Sequence, residues 1–215
     1  MNISDKKAKR KEDVRSLILN AAKKLFVEEG YQSASIRKIA SEIGYSPTTI
    51  YLYYKDKSDI VYALHKEGFT ILRMMFSSSI FIEDPFERLK VIGKIYLKFA
   101  KEYPDFYEVM FVMKEPMEYL DATNETETEC WEEGSQVFNL LVQTVEDCQA
   151  IGYFPETDSK QTALQAWSMV HGLCSLHITT HLQKVGEEFL SESSTEILVE
   201  STFSTYLGLM EKTKK

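Results

Sequence analysis

Apolar residues recur at spacings of three and four along almost the whole chain, and they never alternate with period two over a useful length. That pattern puts the apolar positions on one face of successive helices and predicts an all-α fold. Between Asp13 and Glu29 the stripe is Val14, Leu17, Ile18, Ala21, Ala22, Leu25 and Phe26, and Gly30 follows as a C-terminal stop. Ser35 is placed to cap a second helix whose Ile36, Ile39, Ala40 and Ile43 face inward, and Gly44 ends it. Ser46 and Pro47 are a cap followed by proline at the first helical position, so a third, short helix starts there. Two short helices joined by a tight Gly-containing turn predict a helix-turn-helix.

After Lys57 a longer helix carries Ile60, Val61, Leu64, Phe69, Leu72 and Met75. Asp84, Pro85 and Glu87 make a cap, an N1 proline and a first-turn acid for a helix with Phe86, Leu89, Ile92, Tyr96 and Phe99 inside. Pro104 opens a short helix to about Met113. Asp121 to Glu129 is polar and aperiodic, a loop or a frayed helix start. A long helix with Trp131, Phe138, Leu141, Val145 and Cys148 runs to Gly152. Asp158 and Gln161 cap a helix extending to about Lys184, and a last helix spans Ser194 to Met210. The expected organisation is a flexible basic tail over 1–12, a helix-turn-helix module over 13–57 and a larger helical domain over 58–215.

Composition adds a charge asymmetry. The chain of 215 residues has formal charge −8. Through Lys57 there are twelve Lys and Arg against seven Asp and Glu, a balance of +5, and the rest carries −13. A basic N-terminal quarter on an acidic body points that quarter at a polyanion. No run approaches about 18 uninterrupted apolar residues, which predicts no membrane span, and the charged start does not read as a secretory leader. Three cysteines, Cys130, Cys148 and Cys174, read as reduced, mostly buried thiols of a cytoplasmic protein. No Gly-rich phosphate loop, nucleophile elbow, His-Glu-x-x-His or Cys pair at zinc or redox spacing is present, so no cofactor and no enzyme activity are expected.

A helix-turn-helix reads double-stranded DNA by placing its second helix in the major groove, while flanking elements meet the backbone. The residues fit those tasks. Thr48 and Thr49 follow the cap of the short helix. Tyr51 and Tyr53 are long, rigid donors, and Lys57 supplies a charge. Ser35 and the first N–H groups of its helix suit an anion. The stretch "ILNAAKKLFVEEGYQSASIRKIASEIGYSPTTIYLYYKDKSDIVYAL", Ile18 to Leu64, resembles the TetR family of bacterial transcriptional regulators over about fifty contiguous residues. The resemblance implies a homodimer, a palindromic operator and a helical effector-binding and dimerisation domain. By position it implies that Ser35, Thr49, Tyr51, Tyr53 and Lys57 contact phosphates. Arg37, Tyr45, Pro47 and Thr48 take positions that vary with operator sequence, beside the cap Ser46. Arg37 is the candidate for reading guanine.

The body is rich in Met and aromatic side chains, which make adaptable apolar cavities but equally make ordinary helical cores. With the resemblance, Met74, Tyr96, Phe99, Tyr107, Met110, Phe111, Trp131, Phe138, Trp167 and His171 are the candidate effector pocket, for a small apolar or amphipathic molecule. Trp167, His171 and Gly172 are similar to the Trp-x-x-x-His-Gly segment of one subgroup. His177 and His181 stand four apart, but no carboxylate completes a ligand set, so no metal is expected. The expected function is a repressor that leaves its operator when the effector binds. The alternatives are an architectural DNA-binding protein without effector and a helical enzyme.

Overall fold

The computed structural model describes residues 3–123 and 131–215, and among them every regular element is helical. The order is α1 (Ile3–Glu29), α2 (Ile36–Glu42), α3 (Pro47–Tyr51), α4 (Lys57–Phe76), α5 (Pro85–Glu102), α6 (Pro104–Tyr107), α7 (Glu115–Thr123), α8 (Glu132–Ala150), α9 (Ser159–Ile178), α10 (His181–Val185) and α11 (Thr195–Glu211). A π turn, Glu108–Val112, continues α6, and another, Gly186–Leu190, continues α10. Most of the expected loop at Asp121–Glu129, with Cys130, lies outside the described residues; Asp121 to Thr123 are the end of α7.

The predicted caps form. Ser35 Oγ accepts from Lys38 N, Ser46 Oγ from Thr49 N, Asp84 from the N–H groups of Phe86 and Glu87, and Asp158 from Gln161 N. Each satisfies helix N–H groups that have no partner within the helix. Two boundaries differ from expectation. Helix α1 begins at Ile3, so residues 3–12 are a helical extension where the sequence suggests a flexible tail. Lys, Arg, Ala and Glu are good helix formers, and no Gly or Pro interrupts them. Helix α9 ends at Ile178, and Thr180 has left-handed φ of 60° before α10 starts. His177 and His181 therefore do not share one continuous helix, and His181 Nδ1 bonds Thr179 Oγ1 at 2.9 Å.

The chain divides into two compact units, residues 1–71 with 105–133 and residues 72–104 with 134–215. The expected boundary at 57/58 falls inside the first. There the turn between α1 and α2 is tied to α4, and Lys23 of α1 sits 3.9 Å from the Phe106 ring centroid. Gly68 of α4 faces Met110 so closely that a Cβ would overlap Met110 Sδ and Cγ. In the second unit Phe86, Leu89, Val142, Val145, Cys148, Ala163 and Met210 share a core with Tyr153, which stacks on Phe86 at 4.3 Å.

Gly44 joins α2 to α3 with φ +70°, and no atom stands within 4 Å of where its Cβ would be. A side chain there meets open space but a left-handed backbone. We expect Gly44→Ala to cost about 1–2 kcal/mol, read as a lower midpoint in thermal unfolding. Gly44→Asn should cost less, because Asn visits that region more readily.

Candidate functional site

The helix-turn-helix surface is built from two capped helices of seven and five residues. At the start of α3, Ser46 Oγ lies 3.0 Å from Thr49 Oγ1, and Pro47 occupies the first turn. Arg37, Tyr45, Ser46, Thr48 and Tyr51 are exposed, and Pro47, Thr49 and Tyr53 half-buried. Ile50 and Tyr54 turn inward, and the Arg15 guanidinium lies 5.5 Å from the Tyr54 ring centroid. The four tyrosines between Gly44 and Ser58 thus divide into two exposed, one half-buried and one buried.

Charges around this surface are mostly engaged. Lys38 pairs with Glu29, and Lys24 with Glu42 at 2.8 Å. Arg37 makes no ion pair among the described residues and presents an exposed guanidinium. Ser35 is exposed at the cap of α2; its oxygen accepts from the chain while its hydroxyl proton stays available.

Lys57 takes a place the sequence does not reveal. Its Nζ donates to Tyr31 O at 2.6 Å and Ala34 O at 3.0 Å, and sits 4.0 Å from the Tyr31 ring centroid. Tyr31 Oη is 3.0 Å from Ser58 Oγ. The ammonium thus closes the α1–α2 turn onto the start of α4, with two of its three donors committed to backbone carbonyls. Burial lowers its pKa from the ordinary lysine value.

The effector-pocket candidates are divided between the two units. In the first unit, Phe69 meets Phe111 and Trp131 edge-on, each at 5.6 Å, and Tyr107 contacts Phe111 at 5.1 Å. Met110 is buried beside Gly68. At the centre is His65, 1% exposed and absent from the sequence-based set. Trp131 Nε1 donates to His65 Nε2 at 3.1 Å. Its Nδ1 is enclosed and has no hydrogen-bond partner. Burial pushes the His65 pKa down to about 4, although nearby Glu133 acts the other way. The ring is neutral at pH 7, and with Nε2 accepting, the proton is on Nδ1. The signal that could have found it is a histidine in register with Val61 and Phe69 on the apolar face of α4.

In the second unit, α5 supplies Tyr96 and Phe99, α8 supplies Phe138, and α9 supplies Trp167 and His171. Trp167 Nε1 donates to Tyr96 Oη, and Tyr96 Oη is also 3.1 Å from His171 Nδ1. Indole is only a donor, so the tyrosine hydroxyl accepts from Trp167, and the same oxygen is shared with His171. Burial lowers the His171 pKa. Phe138 packs 6.1 Å from Trp167. Met74 is a correction: it is 66% exposed, because it falls on the side of α4 opposite Leu72 and Phe76.

Two family models match this chain. Residues 18–64 match that of bacterial regulatory proteins, tetR family, and residues 89–201 match the tetracyclin repressor-like C-terminal domain. The fatty acid metabolism regulator protein of Bacillus subtilis (strain 168) is 44% identical over 50 residues, 23% of this chain and 26% of that protein. An HTH-type transcriptional regulator of Staphylococcus aureus (strain USA300) is 32% identical over 121 residues, 56% of this chain and 55% of that protein. The matches thus span about a quarter and about half of these relatives. Among solved structures, the fatty acid degradation regulator FadR from Bacillus halodurans superposes with TM-score 0.70 at 20% identity, covering 90% of this chain and 94% of that one. The TetR family transcriptional regulator PfmR from Thermus thermophilus superposes with TM-score 0.60 at 19% identity, covering 74% and 84%. These superpositions establish a shared fold. No described helix is long and apolar enough to cross a membrane.

Proposed function

Because this chain belongs to the TetR family of DNA-binding transcriptional regulators, we propose that it is a cytoplasmic repressor that grips a palindromic operator as a homodimer and releases it when a small effector binds the helical body. The observation that carries the DNA reading is the exposed face of α2 and α3. Arg37, Thr48 and Tyr51 project from a frame locked by two serine caps and the Lys57 tie. Arg37 reads a guanine edge, and Ser35, Thr49, Tyr51 and Tyr53 hold phosphates. Lys57 reaches the backbone with its remaining donor. Exposed Leu164 and Leu176 on α9, with Ile197 and Leu209 on α11, supply the apolar area for a partner copy.

For the effector we infer an acyl-chain molecule. Two of the similar proteins are named for fatty acid metabolism or degradation. The aromatic cluster around Phe69 offers apolar walls, and His65 Nδ1–H offers a buried donor to an acceptor oxygen. Release requires that the effector bind the two states of the repressor with different affinity.

The test begins by selecting operator duplexes from random DNA, then measures affinity by fluorescence anisotropy with and without a panel of acyl carboxylates and thioesters. Arg37→Ala should raise Kd by about tenfold or more and relax the preference at one base pair per half-site. Uniform weakening on every sequence would make Arg37 a phosphate contact instead. Unchanged affinity would reject this face as the interface. Equal operator affinity across the whole panel would reject the acyl effector.

A further inference from the structure

A groove of about 640 Å³ lies within the second unit, between α5, α9 and α11, and contains none of the DNA-facing or candidate-pocket residues. Its volume is in the range of small-molecule sites, roughly 300–1,000 Å³. Leu97 of α5 and Val199, Phe203 and Leu207 of α11 give it apolar walls, and Cys174 of α9 adds a buried thiol. Phe203 is seated against Gly93, where a Cβ would overlap the ring, so α5 and α11 meet closely on this side.

The polar groups are unevenly placed. Lys94, Lys98 and Lys101 stand at intervals of four and three on α5 and so share one face. Glu196 and Glu200 stand on α11. Lys101 pairs with Glu196 at 3.1 Å, and Lys98 with Glu102 at 3.8 Å. Lys94 has no ion-pair partner among the described residues. His177 also lines the groove, and its Nδ1 is enclosed without a hydrogen-bond partner.

We propose that this groove binds an anionic amphiphile: an unbranched apolar chain along Leu97, Val199 and Leu207, with its carboxylate or phosphate head at Lys94 and Lys98. His177 hydrogen-bonds a polar atom of the bound molecule. Lys101 is matched by Glu196 and Lys98 by Glu102, whereas Lys94 stands one turn from Lys98 with no ion-pair partner among the described residues, so the α5 side of the groove offers a head group its cation. The proposal does not depend on where the effector that releases DNA is held.

Calorimetric titration of the full chain with laurate, dodecyl phosphate and dodecyltrimethylammonium tests it. Both anions should bind and the cation should not. Lys94→Glu, at an exposed position, should weaken the anions about fivefold. Val199→Trp, which fills the groove, should abolish binding while leaving operator affinity without ligand unchanged. His65→Phe should retain it. If only one of the two anions binds, the head group is assigned accordingly. The proposal is overturned if the cation binds as tightly, if neither groove variant changes anion affinity by more than twofold, or if His65→Phe alone removes binding.

Discussion

Acidification from pH 6.5 to pH 4 is expected to cost the fold about 3 kcal/mol through His65 alone. Burial depresses the folded-state pKa to about 4, whereas the unfolded chain keeps the ordinary value of 6.5. Between those values the unfolded state binds the proton and the folded state does not. This contribution is therefore complete above pH 6.5 and is lost as pH falls toward 4. His171, also lowered by burial, acts in the same direction. Glu133, which pairs with Lys66 at 3.1 Å, only partly offsets the desolvation. Urea unfolding at half-unit pH steps checks this. His65→Gln, which cannot titrate, should flatten the slope between pH 6.5 and 4. If wild type and His65→Gln have parallel profiles, the imidazole is not the source.

The second expected result concerns Lys57. Lys57→Met should lose about 2 kcal/mol of stability and at least tenfold in operator affinity. Each charge-assisted bond is worth roughly 1.5–3 kcal/mol when buried, and the half-buried position discounts the pair. The methionine keeps most of the stem but leaves Tyr31 O and Ala34 O without their donor. The turn that places α2 then loosens, and the helices reach DNA less well ordered. Lys55→Met is the control: it removes one exposed charge nearby and should cost affinity but not stability. Denaturant midpoints and anisotropy on the same samples separate the two effects. Stability within about 0.5 kcal/mol of wild type in Lys57→Met would reject the tie and leave only a phosphate contact.

In the sequence Lys57 reads as a phosphate contact alone, and the reason is physical. Its carbonyl acceptors are 26 and 23 residues away, and no local pattern announces them. Caps are different: Ser35, Ser46, Asp84 and Asp158 bond backbone within three residues, so the sequence displays both partners at once. Local chemistry therefore makes α2 and α3 legible almost to the residue. The N-terminal extension of α1 is hidden because it carries charge and no apolar stripe. The break after α9 is hidden because Thr179 and Thr180 carry no Gly or Pro signal. Composition pools the aromatic residues into one pocket, while packing assigns Trp131 and Tyr107 to one unit and Trp167 and Tyr96 to the other.

The contact between Gly68 and Met110 limits how α4 can move. The missing side chain at position 68 is the opening into which the Met110 thioether fits. Rolling the helix about its own axis by one residue would bring the Glu67 or Phe69 side chain toward the sulfur in place of a hydrogen atom. Axial rotation therefore requires the Met110 side chain to give way, while a tilt that pivots on this contact keeps it intact. Within the first unit, residue 68 is thus the point of α4 where tilting disturbs the packing least.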